Sequence, residues 1–150
     1  MTATALSAAT LGIDAYLIHV EVDTETGVVK LVRYAACDDV GNVVNPMIVD
    51  GQVHGGVAQG LGQAVFERTY YDNAGQFHTS SFLDYNIPRA DEIPPIEFIS
   101  NPTPCPANPL GFKGCGEAGA AGAPPAVVNA VVDALKEFGV KHIDMPLTPE

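Results

Sequence analysis

Seven prolines crowded into one stretch constrain this fold more than any other feature of the sequence. They fall within residues 87–109, at positions 88, 94, 95, 102, 104, 106 and 109. Because proline lacks a backbone N–H and fixes φ, the stretch excludes long helices and central strands and leaves room for a short strand at residues 96–99. A connection of this length is usually functional or disordered, and its apolar composition favours an ordered traverse that lines a site.

The segments before this traverse predict a sheet. Apolar and polar residues alternate over residues 16–23, which is the period of a half-buried strand. A turn that ends at Gly27 leads into a second strand over residues 28–34. A further hairpin is predicted around the turn at residues 72–75. We therefore expect a sheet of four or more strands.

A glycine-rich helix is predicted between the first hairpin and the second. Asp50 is a suitable N-cap, and the helix is expected to run to about residue 68. Its apolar stripe consists of Val53, Val57, Leu61, Ala64 and Val65. Its interior also contains Gly55, Gly56, Gly60 and Gly62. Each glycine costs about 1 kcal/mol relative to alanine. Close approach of another backbone or of a ligand would offset that cost.

The same helix carries three amides along one face. Gln52, Gln59 and Gln63 are spaced at i, i+7 and i+11, which places them on one side of a helix. This amide face is either a binding surface or a solvated face opposite a tightly packed helix pair. Spacing alone leaves both interpretations open.

A second helix is predicted at the end of the chain. Pro124 and Pro125 are expected to open it, and Gly139 to end it. Its apolar face consists of Val127, Val131, Leu135 and Phe138. The elements together predict an α+β fold with a mixed or antiparallel sheet, a glycine-rich helix and a C-terminal helix. We expect one domain over residues 15–150 and an N-terminal extension over residues 1–14.

Composition narrows the possible partners. Hydrophobic residues make up 47% and charged residues 17%, which is typical of a globular chain. A formal net charge of −11 disfavours nucleic acid and anionic membrane surfaces, because both require a basic binding surface. No apolar run approaches the roughly 20 residues that cross a bilayer, and the N-terminus lacks a basic leading segment. We therefore expect a cytoplasmic protein that binds small molecules or other proteins.

The possible metal ligands are scattered. Cys37, Cys105 and Cys115 lack CxxC spacing, which argues against a disulfide framework, structural zinc or an iron–sulfur cluster. The histidines also fall into no ligand motif: His19, His54, His78 and His142. We expect no metal site built from side chains.

Residues 111–119 form a glycine-rich loop with a single carboxylate, Glu117. From Gly114 onward the loop matches GxGxxG, the dinucleotide-binding pattern. That pattern needs a buried strand directly before it, whereas a proline-rich stretch precedes it here and helix onset is expected only at Pro124. We therefore reject a dinucleotide-binding fold. The loop holds either an exposed carboxylate that meets a ligand or a turn with a solvated glutamate.

The sequence also contains a cysteine and a pair of serines that could be considered as catalytic nucleophiles, but both hypotheses have less support than a role for Glu117. Cys115 would be an activated thiol if the following helix N-terminus lowered its pKa, but most lone cysteines are buried small apolar residues. Ser80 and Ser81 lie on a predicted strand without the sharp turn that exposes a nucleophilic serine. The sequence gives little support to thiol or serine catalysis.

Three segments, taken in order, form a more specific pattern. They are Asp38-Asp39-Val40-Gly41 running into Asn45-Pro46, Gly51-Gln52-Val53-His54-Gly55-Gly56 with Gln59-Gly60-Leu61-Gly62, and Gly114-Cys115-Gly116-Glu117. With this pattern the chain resembles the C-terminal part of the molybdopterin-binding large subunit in the xanthine oxidase and aerobic carbon monoxide dehydrogenase family. The resemblance spans residues 15–150. The implied fold is the second molybdenum-cofactor-binding domain of that family.

The resemblance also implies a site. In that family a glutamine matching Gln52 contacts the pterin, and a glutamate matching Glu117 lies beside molybdenum. The implied cofactor-binding residues are Gln52, Gly114, Cys115 and Gly116. Glu117 is implied as the base in hydroxylation of an aldehyde, purine or other N-heterocycle, with water as the oxygen source. The implied cofactor is the molybdenum-pterin in its molybdopterin cytosine dinucleotide form.

The family's subunit is several times longer than this chain, which lacks iron–sulfur cysteine patterns and a FAD motif. The resemblance therefore implies three partners: the upstream part of the large subunit, an iron–sulfur subunit and a FAD subunit. Relatives commonly carry Ser-Pro or Pro-Pro after the glutamate, whereas this chain carries Ala118-Gly119, so the substrate-side wall is expected to differ. The alternative function is a non-catalytic assembly component, or an inactive remnant without cofactor.

Overall fold

The computed structural model describes residues 1–11 and 14–149, which fold into a four-stranded sheet and two helices. The strands are β1 (Thr2–Leu11), β2 (Asp14–Asp23), β3 (Val29–Asp38) and β4 (Ile96–Ser100). The helices are α1 (Pro46–Leu61), extended by a π-helical turn (Gly62–Phe66), and α2 (Ala118–Leu135), extended by a 3-10 turn (Lys136–Phe138). The predicted α+β class, with a mixed sheet, is confirmed.

The sheet has the order β1-β2-β3-β4, in which β1, β2 and β3 are antiparallel and β4 is parallel to β3. The predicted turn joins β2 to β3 at Gly27, where φ is 75°. Strand β4 lies in the proline-free part of the traverse, between Pro95 and Pro102, as predicted. It pairs with β3, with Ile96 opposite Tyr34 and Ser100 opposite Asp38. Since parallel strands end at the same edge, β3 and β4 deliver their following loops to one side of the sheet.

Strand β1 belongs to the segment that was expected to be an N-terminal extension. It pairs with β2 along its whole length, from Thr2 opposite Asp23 to Leu11 opposite Asp14. Ala5 is buried in the core, whereas Leu6, on the opposite face, is exposed. The alanine- and threonine-rich sequence has few large apolar side chains to display a strand period, so the ladder with β2 defines this strand.

The second predicted hairpin contributes a turn and no strand of the sheet. A single bridge joins Tyr71 to Phe77, and the Asp72 N–H donates to Gln76 O at 3.1 Å. Gly75 takes the left-handed conformation that the turn requires, with φ of 80°. These residues lie mostly at the surface, so no neighbouring strand extends the bridge into a ladder.

Helix α1 begins earlier than predicted. Its N-cap is Asn45, whose side-chain Oδ1 accepts from the Ile48 N–H at 3.2 Å, and Asp50 lies inside the helix. Pro46 restrains the preceding residue to extended geometry, and Asn45 has φ −135° and ψ 104°. That is the conformation an N-cap needs, so the Asn-Pro pair starts the helix and the Asp50 assignment was wrong.

Helix α2 also begins earlier than predicted, at Ala118, and Pro124 and Pro125 lie inside it. A proline at position 124 removes the N–H that would bond to the Ala120 carbonyl. That carbonyl faces Gly60 of α1, where a methyl group would lie 3.1 Å from it. The contact between the two helices thus accommodates the prolines, and the predicted start at Pro124 was wrong. The predicted end is confirmed, since Gly139 is left-handed with φ of 83°.

Helix α2 together with its 3-10 turn, Ala118–Phe138, is 21 residues long and apolar enough by composition to cross a membrane. Asn129, Asp133, Lys136 and Glu137 interrupt this segment, so it is a long and largely apolar helix rather than a continuous apolar run. Half of the helix window is buried inside the protein, where Val127 and Val131 pack in the core. A core helix of a globular domain passes the same test, and α2 has the packing of one.

The core lies between one face of the sheet and the two helices. Tyr16, Ile18 and Val20 of β2 are at most 1% exposed. The predicted α1 stripe is buried in full: Val53, Val57, Leu61, Ala64 and Val65. Each fully buried aliphatic side chain stabilises the fold by roughly 1.5–3 kcal/mol. This shared core fixes how α1 lies relative to α2, and that relation builds the site described below.

Candidate functional site

The two helices approach each other through glycines. A methyl group at Gly119 of α2 would lie 2.5 Å from Val57 N and 2.6 Å from Val53 O, both in the α1 backbone. Gly56 lies against Gly119 in return, with 3.3 Å between a methyl group there and Gly119 Cα. Close backbone approach therefore explains part of the glycine content of α1. It also explains Ala118-Gly119 after the glutamate, because Gly119 faces α1.

Helices α1 and α2 run in the same direction, because Gly56 contacts Gly119 and Gly60 contacts Ala123 further along. Gln52 lies one turn before Gly56, near the start of α1, and is exposed. Glu117 lies two residues before Gly119. The helix pair therefore brings Gln52 and Glu117 to the same end, as the binding interpretation of both motifs requires.

Glu117 is the backbone N-cap of α2, with φ −114° and ψ −2°, and its side chain makes no capping hydrogen bond. Within the part of the chain that the structure describes, the Glu117 carboxylate forms no hydrogen bond or ion pair. The residue is exposed. Its carboxylate is therefore available to a ligand, at a helix end whose N–H groups favour anions.

Only one of the three glutamines of the amide face lies at the end of the helix pair where Glu117 is found. Gln52, Gln59 and Gln63 are all exposed, as expected for a face that does not join the core. Gln63 lies at the far end of the helix, in a cleft that Arg68 and Met145 also line. Of the three, only Gln52 lies near the start of α1, at the end of the helix pair where α2 also begins.

The surface around Gln52 and Glu117 is open. A methyl group added at Gly51, Gly55, Gly114 or Gly116 would meet no heavy atom within 4 Å. Cys115, between two of these glycines, is half-buried. Two cavities of about 610 and 410 Å³ are lined by neither Gln52 nor Glu117. The candidate site is thus an exposed end of the helix pair rather than an enclosed cavity.

The glycine loop is attached to the segment that follows β3. The Lys113 N–H donates to Val40 O at 3.0 Å, and the Asn42 N–H donates to Gly111 O at 3.0 Å. The Cys105 N–H, from the proline-rich traverse, donates to the same Gly111 oxygen at 2.9 Å. Three separate stretches of chain meet here, and the proline-rich traverse is one of them.

Asp39 lies at the centre of this meeting point, with a side chain only 1% exposed. Its carboxylate accepts from Lys113 Nζ at 2.6 Å, from the Thr103 N–H at 2.9 Å and from the Gly41 N–H at 2.9 Å. The Lys113 ammonium and then the Thr103 N–H hold the pKa of Asp39 well below its ordinary value. Sequence reasoning assigned no role to Asp39 or Lys113, although a lone lysine inside a glycine loop was a usable signal.

The first turn of α2 is held from the sheet side by Tyr16. Its hydroxyl donates to the Ala118 carbonyl at 3.2 Å, directly after Glu117 in the chain. Its ring lies against Gly122, where a methyl group would be 2.1 Å from the nearest ring carbon. Burial, then the neighbouring Tyr16 and Asp38, raises the pKa of the Tyr34 hydroxyl beneath this contact. The site therefore rests on a buried aromatic layer that sequence patterns did not reveal.

Because ionisation of Asp39 is favoured by the fold, we expect it to stabilise the protein above the ordinary carboxyl pKa of about 4 and to lose that effect as pH falls below it. Urea denaturation of the wild type and Asp39→Asn would measure this at several values between pH 7 and pH 3. The difference should be large at neutral pH and shrink below about pH 4. Asp133→Asn, which removes an exposed carboxylate, is the control and should show little pH dependence. A constant difference for Asp39→Asn would contradict the assignment.

In the described residues, no group of three or more His, Cys, Asp or Glu side chains is placed to hold a metal ion. Pterins and nucleotides are bound through amides, backbone N–H groups and glycines that leave space. The first backbone N–H groups of α2 and the open glycines Gly114 and Gly116 lie next to Glu117 in the chain.

Comparison with known proteins agrees with this geometry. Residues 2–94 match the model of the molybdopterin cofactor-binding domain. The chain is 48% identical over 135 residues to the nicotine 6-hydroxylase large subunit of Paenarthrobacter nicotinovorans, covering 90% of this chain and 16% of the relative. It is 41% identical over 133 residues to the carbon monoxide dehydrogenase large chain of Hydrogenophaga pseudoflava, covering 89% and 17%.

The chain is also similar in fold and sequence to a protein of known structure. The fold matches quinoline 2-oxidoreductase from Pseudomonas putida 86 with a TM-score of 0.87 and 40% sequence identity. The match covers 91% of this chain and 17% of that one. The chain therefore spans about a sixth of the length of the relatives it matches.

Proposed function

Because the chain belongs to the molybdopterin cofactor-binding domain family of the xanthine oxidase and carbon monoxide dehydrogenase large subunits, we propose that it is part of a molybdenum hydroxylase with Glu117 as general base. The observation that carries the proposal is the position of Glu117. Its carboxylate is exposed, makes no hydrogen bond within the described chain and shares one end of the helix pair with Gln52.

The residues present fit a molybdenum-pterin cofactor. Gln52 would donate and accept hydrogen bonds at the pterin edge, and the first N–H groups of α2 suit the anionic phosphate of the cofactor. Gly114 and Gly116 leave open space that any side chain would fill. Cys115 would contribute its backbone N–H between them. We assign these four residues to cofactor binding and propose the molybdopterin cytosine dinucleotide form.

The cofactor, when bound, would supply the two-electron redox chemistry of hydroxylation. Glu117 would accept, at a carboxylate oxygen, the proton of the oxygen nucleophile that water provides. A carboxylate within about 3 Å of that proton can act as a general base, and such a base typically contributes about 10²- to 10⁴-fold. The glycines on either side allow the reacting groups to reach it.

The substrate class that we propose is an aldehyde, a purine or another N-heterocycle. Two of the relatives are named for N-heterocyclic compounds, nicotine and quinoline. The open surface around Glu117 would receive its opposite wall from the upstream part of the large subunit. An iron–sulfur subunit and a FAD subunit would carry electrons away, since the cysteines Cys37, Cys105 and Cys115 are dispersed single thiols. Three free thiols also accord with a cytoplasmic location.

Elemental analysis for molybdenum, with release of the pterin, is the direct test on protein purified in its native complex. We expect near-stoichiometric molybdenum together with larger partner chains. Gln52→Ala should lower the molybdenum and pterin content, because the amide that orients the pterin is lost. Gln63→Ala is the matched control: it removes an equally exposed amide from the far end of the same helix and should leave the content unchanged. A metal-free, partner-free 150-residue protein would favour the non-catalytic alternative.

A further inference from the structure

Glu117 lies between two fixed points of the chain. On its C-terminal side the Tyr16 hydroxyl holds the Ala118 carbonyl at 3.2 Å. On its N-terminal side the nearest held residue is Lys113, whose N–H bonds to Val40 O and whose ammonium bonds to Asp39. The position of the Glu117 carboxylate is therefore set by what these two points allow.

The three residues between Lys113 and Glu117 add little constraint of their own. Gly114 and Gly116 have no side chains and lie in open space, with no heavy atom within 4 Å of an added methyl group. Within the described chain, Gly114, Cys115 and Gly116 form no hydrogen bond. A segment of this kind moves with its ends, so loosening Lys113 would loosen Glu117.

The Asp39–Lys113 contact is well suited to fix one of those ends. Asp39 is 1% exposed and Lys113 31% exposed, so water and salt screen this pair far less than a surface pair. The Nζ to Oδ2 distance is 2.6 Å, which is typical of a charge-assisted hydrogen bond. By comparison, Lys136 and Asp133 on the same chain form an ion pair at 2.8 Å with side chains 64% and 45% exposed.

The carboxylate also joins the loop to both neighbouring segments. Its Oδ1 accepts from the Thr103 N–H in the proline-rich traverse and from the Gly41 N–H in the segment after β3. Gly41 lies so close to the loop that a methyl group there would be 2.4 Å from Gly111 O. A single buried charge therefore holds three stretches of chain in register at the base of the Glu117 loop.

We propose that Asp39 and Lys113 form a positioning pair for Glu117, holding its loop at the end of the helix pair beside Gln52. The proposal rests on the proposed function, in which Glu117 is the base. Neither residue touches the reacting groups. Lys113 acts through the loop backbone, and Asp39 acts through Lys113.

A pair that served only general stability would act on the whole domain. The positioning pair also acts locally: removing the ammonium should loosen the base of the loop at residues 113–117 far more than it loosens β1, β2 and β3. The effect of a substitution at Lys113 should depend on whether the new side chain is charged and can donate hydrogen bonds to Asp39, and not on its size. Arginine in place of Lys113 keeps the charge and the donors to Asp39, whereas methionine keeps only the apolar stem.

Backbone hydrogen exchange, read by mass spectrometry on the full 150-residue chain, tests the local effect without any cofactor. In Lys113→Met the hydrogen-bonded amides at the base of the loop, those of residue 113, Asn42 and Thr103, should exchange roughly tenfold faster or more, as expected when a hydrogen bond to a charged group is lost. Lys113→Arg should restore slow exchange. Lys136→Met, which removes the exposed ion pair, should leave these amides unchanged. Unchanged exchange in Lys113→Met would overturn the proposal.

Steady-state kinetics of the native complex, with nicotine and quinoline as probe substrates, test the consequence for Glu117. Lys113→Met should lower kcat about tenfold or more at an unchanged KM and molybdenum content, and Lys113→Arg should restore it. Faster loop exchange with unchanged kcat would overturn positioning. If Glu117→Gln kept full turnover, the base assignment would fail, while the exchange data would still decide whether Asp39 and Lys113 hold the loop.

Discussion

Glu117→Gln is expected to lower turnover of the native complex by about 10²- to 10⁴-fold, the usual contribution of a general base. Glutamine keeps the size and polarity of the side chain but cannot accept the proton. Because the carboxylate makes no hydrogen bond within the described chain, the fold should be unaffected. The measurement is kcat with an N-heterocyclic substrate such as nicotine, alongside the molybdenum content, which should stay at the wild-type level.

Glu137→Gln is the control for this substitution. Glu137 is equally exposed but follows the opposite end of α2, in the 3-10 turn. It should leave turnover unchanged. Near-wild-type turnover in Glu117→Gln would show that Glu117 is not the base, and the non-catalytic interpretation of the loop would then gain weight. A parallel loss of molybdenum would instead indicate that Glu117 holds the cofactor.

Gly119→Ala is expected to destabilise the protein, although it adds only one methyl group. The new methyl group would lie 2.5 Å from Val57 N and 2.6 Å from Val53 O, and backbone atoms inside a packed helix cannot yield as a flexible side chain can. Overpacking of this kind typically costs about 1–3 kcal/mol. That cost exceeds the gain of up to about 1 kcal/mol that alanine brings to a helix.

Gly55→Ala is the matched control, because Gly55 lies inside α1 and a methyl group there would meet nothing within 4 Å. We expect it to raise the free energy of unfolding by about 0.5–1 kcal/mol. Urea denaturation of both variants gives the comparison, with opposite signs as the expected result. A stabilising effect of Gly119→Ala would mean that the two helices are further apart than the structure indicates.

The parts of the fold that the sequence predicted correctly depend on local pattern. The α1 stripe from Val53 to Val65, the turn at Gly27 and the stop at Gly139 each follow from the chemistry of a few neighbouring residues. The short strand β4 could be placed because the prolines around it excluded every alternative. The spacing of apolar residues and the ability of glycine to adopt positive φ can both be recognised in the sequence without knowledge of the tertiary structure.

The incorrect predictions concern residues that are compatible with more than one local structure. At these positions the tertiary contacts decide which structure forms. The start of α1 was predicted at Asp50, although the extended geometry that Pro46 imposes on Asn45 suits an N-cap. Pro124 was interpreted as a helix start, although the contact with Gly60 lets it lie inside α2. The short side chains of β1 gave no period at all, and its pairing with β2 identifies it as a strand.

For the candidate site, the sequence by itself determined which groups are available: the amide of Gln52, the carboxylate of Glu117 and the glycines around them. Only the tertiary structure decided that these groups lie at the same end of the helix pair. The parallel packing of α1 on α2 brings together residues 65 positions apart in the chain, Gln52 and Glu117. It also decided how the loop is held, because the Asp39–Lys113 pair spans 74 positions. Local sequence patterns cannot predict such contacts, because they join residues that are far apart in the chain. Their geometry depends on how separate helices and strands pack against each other.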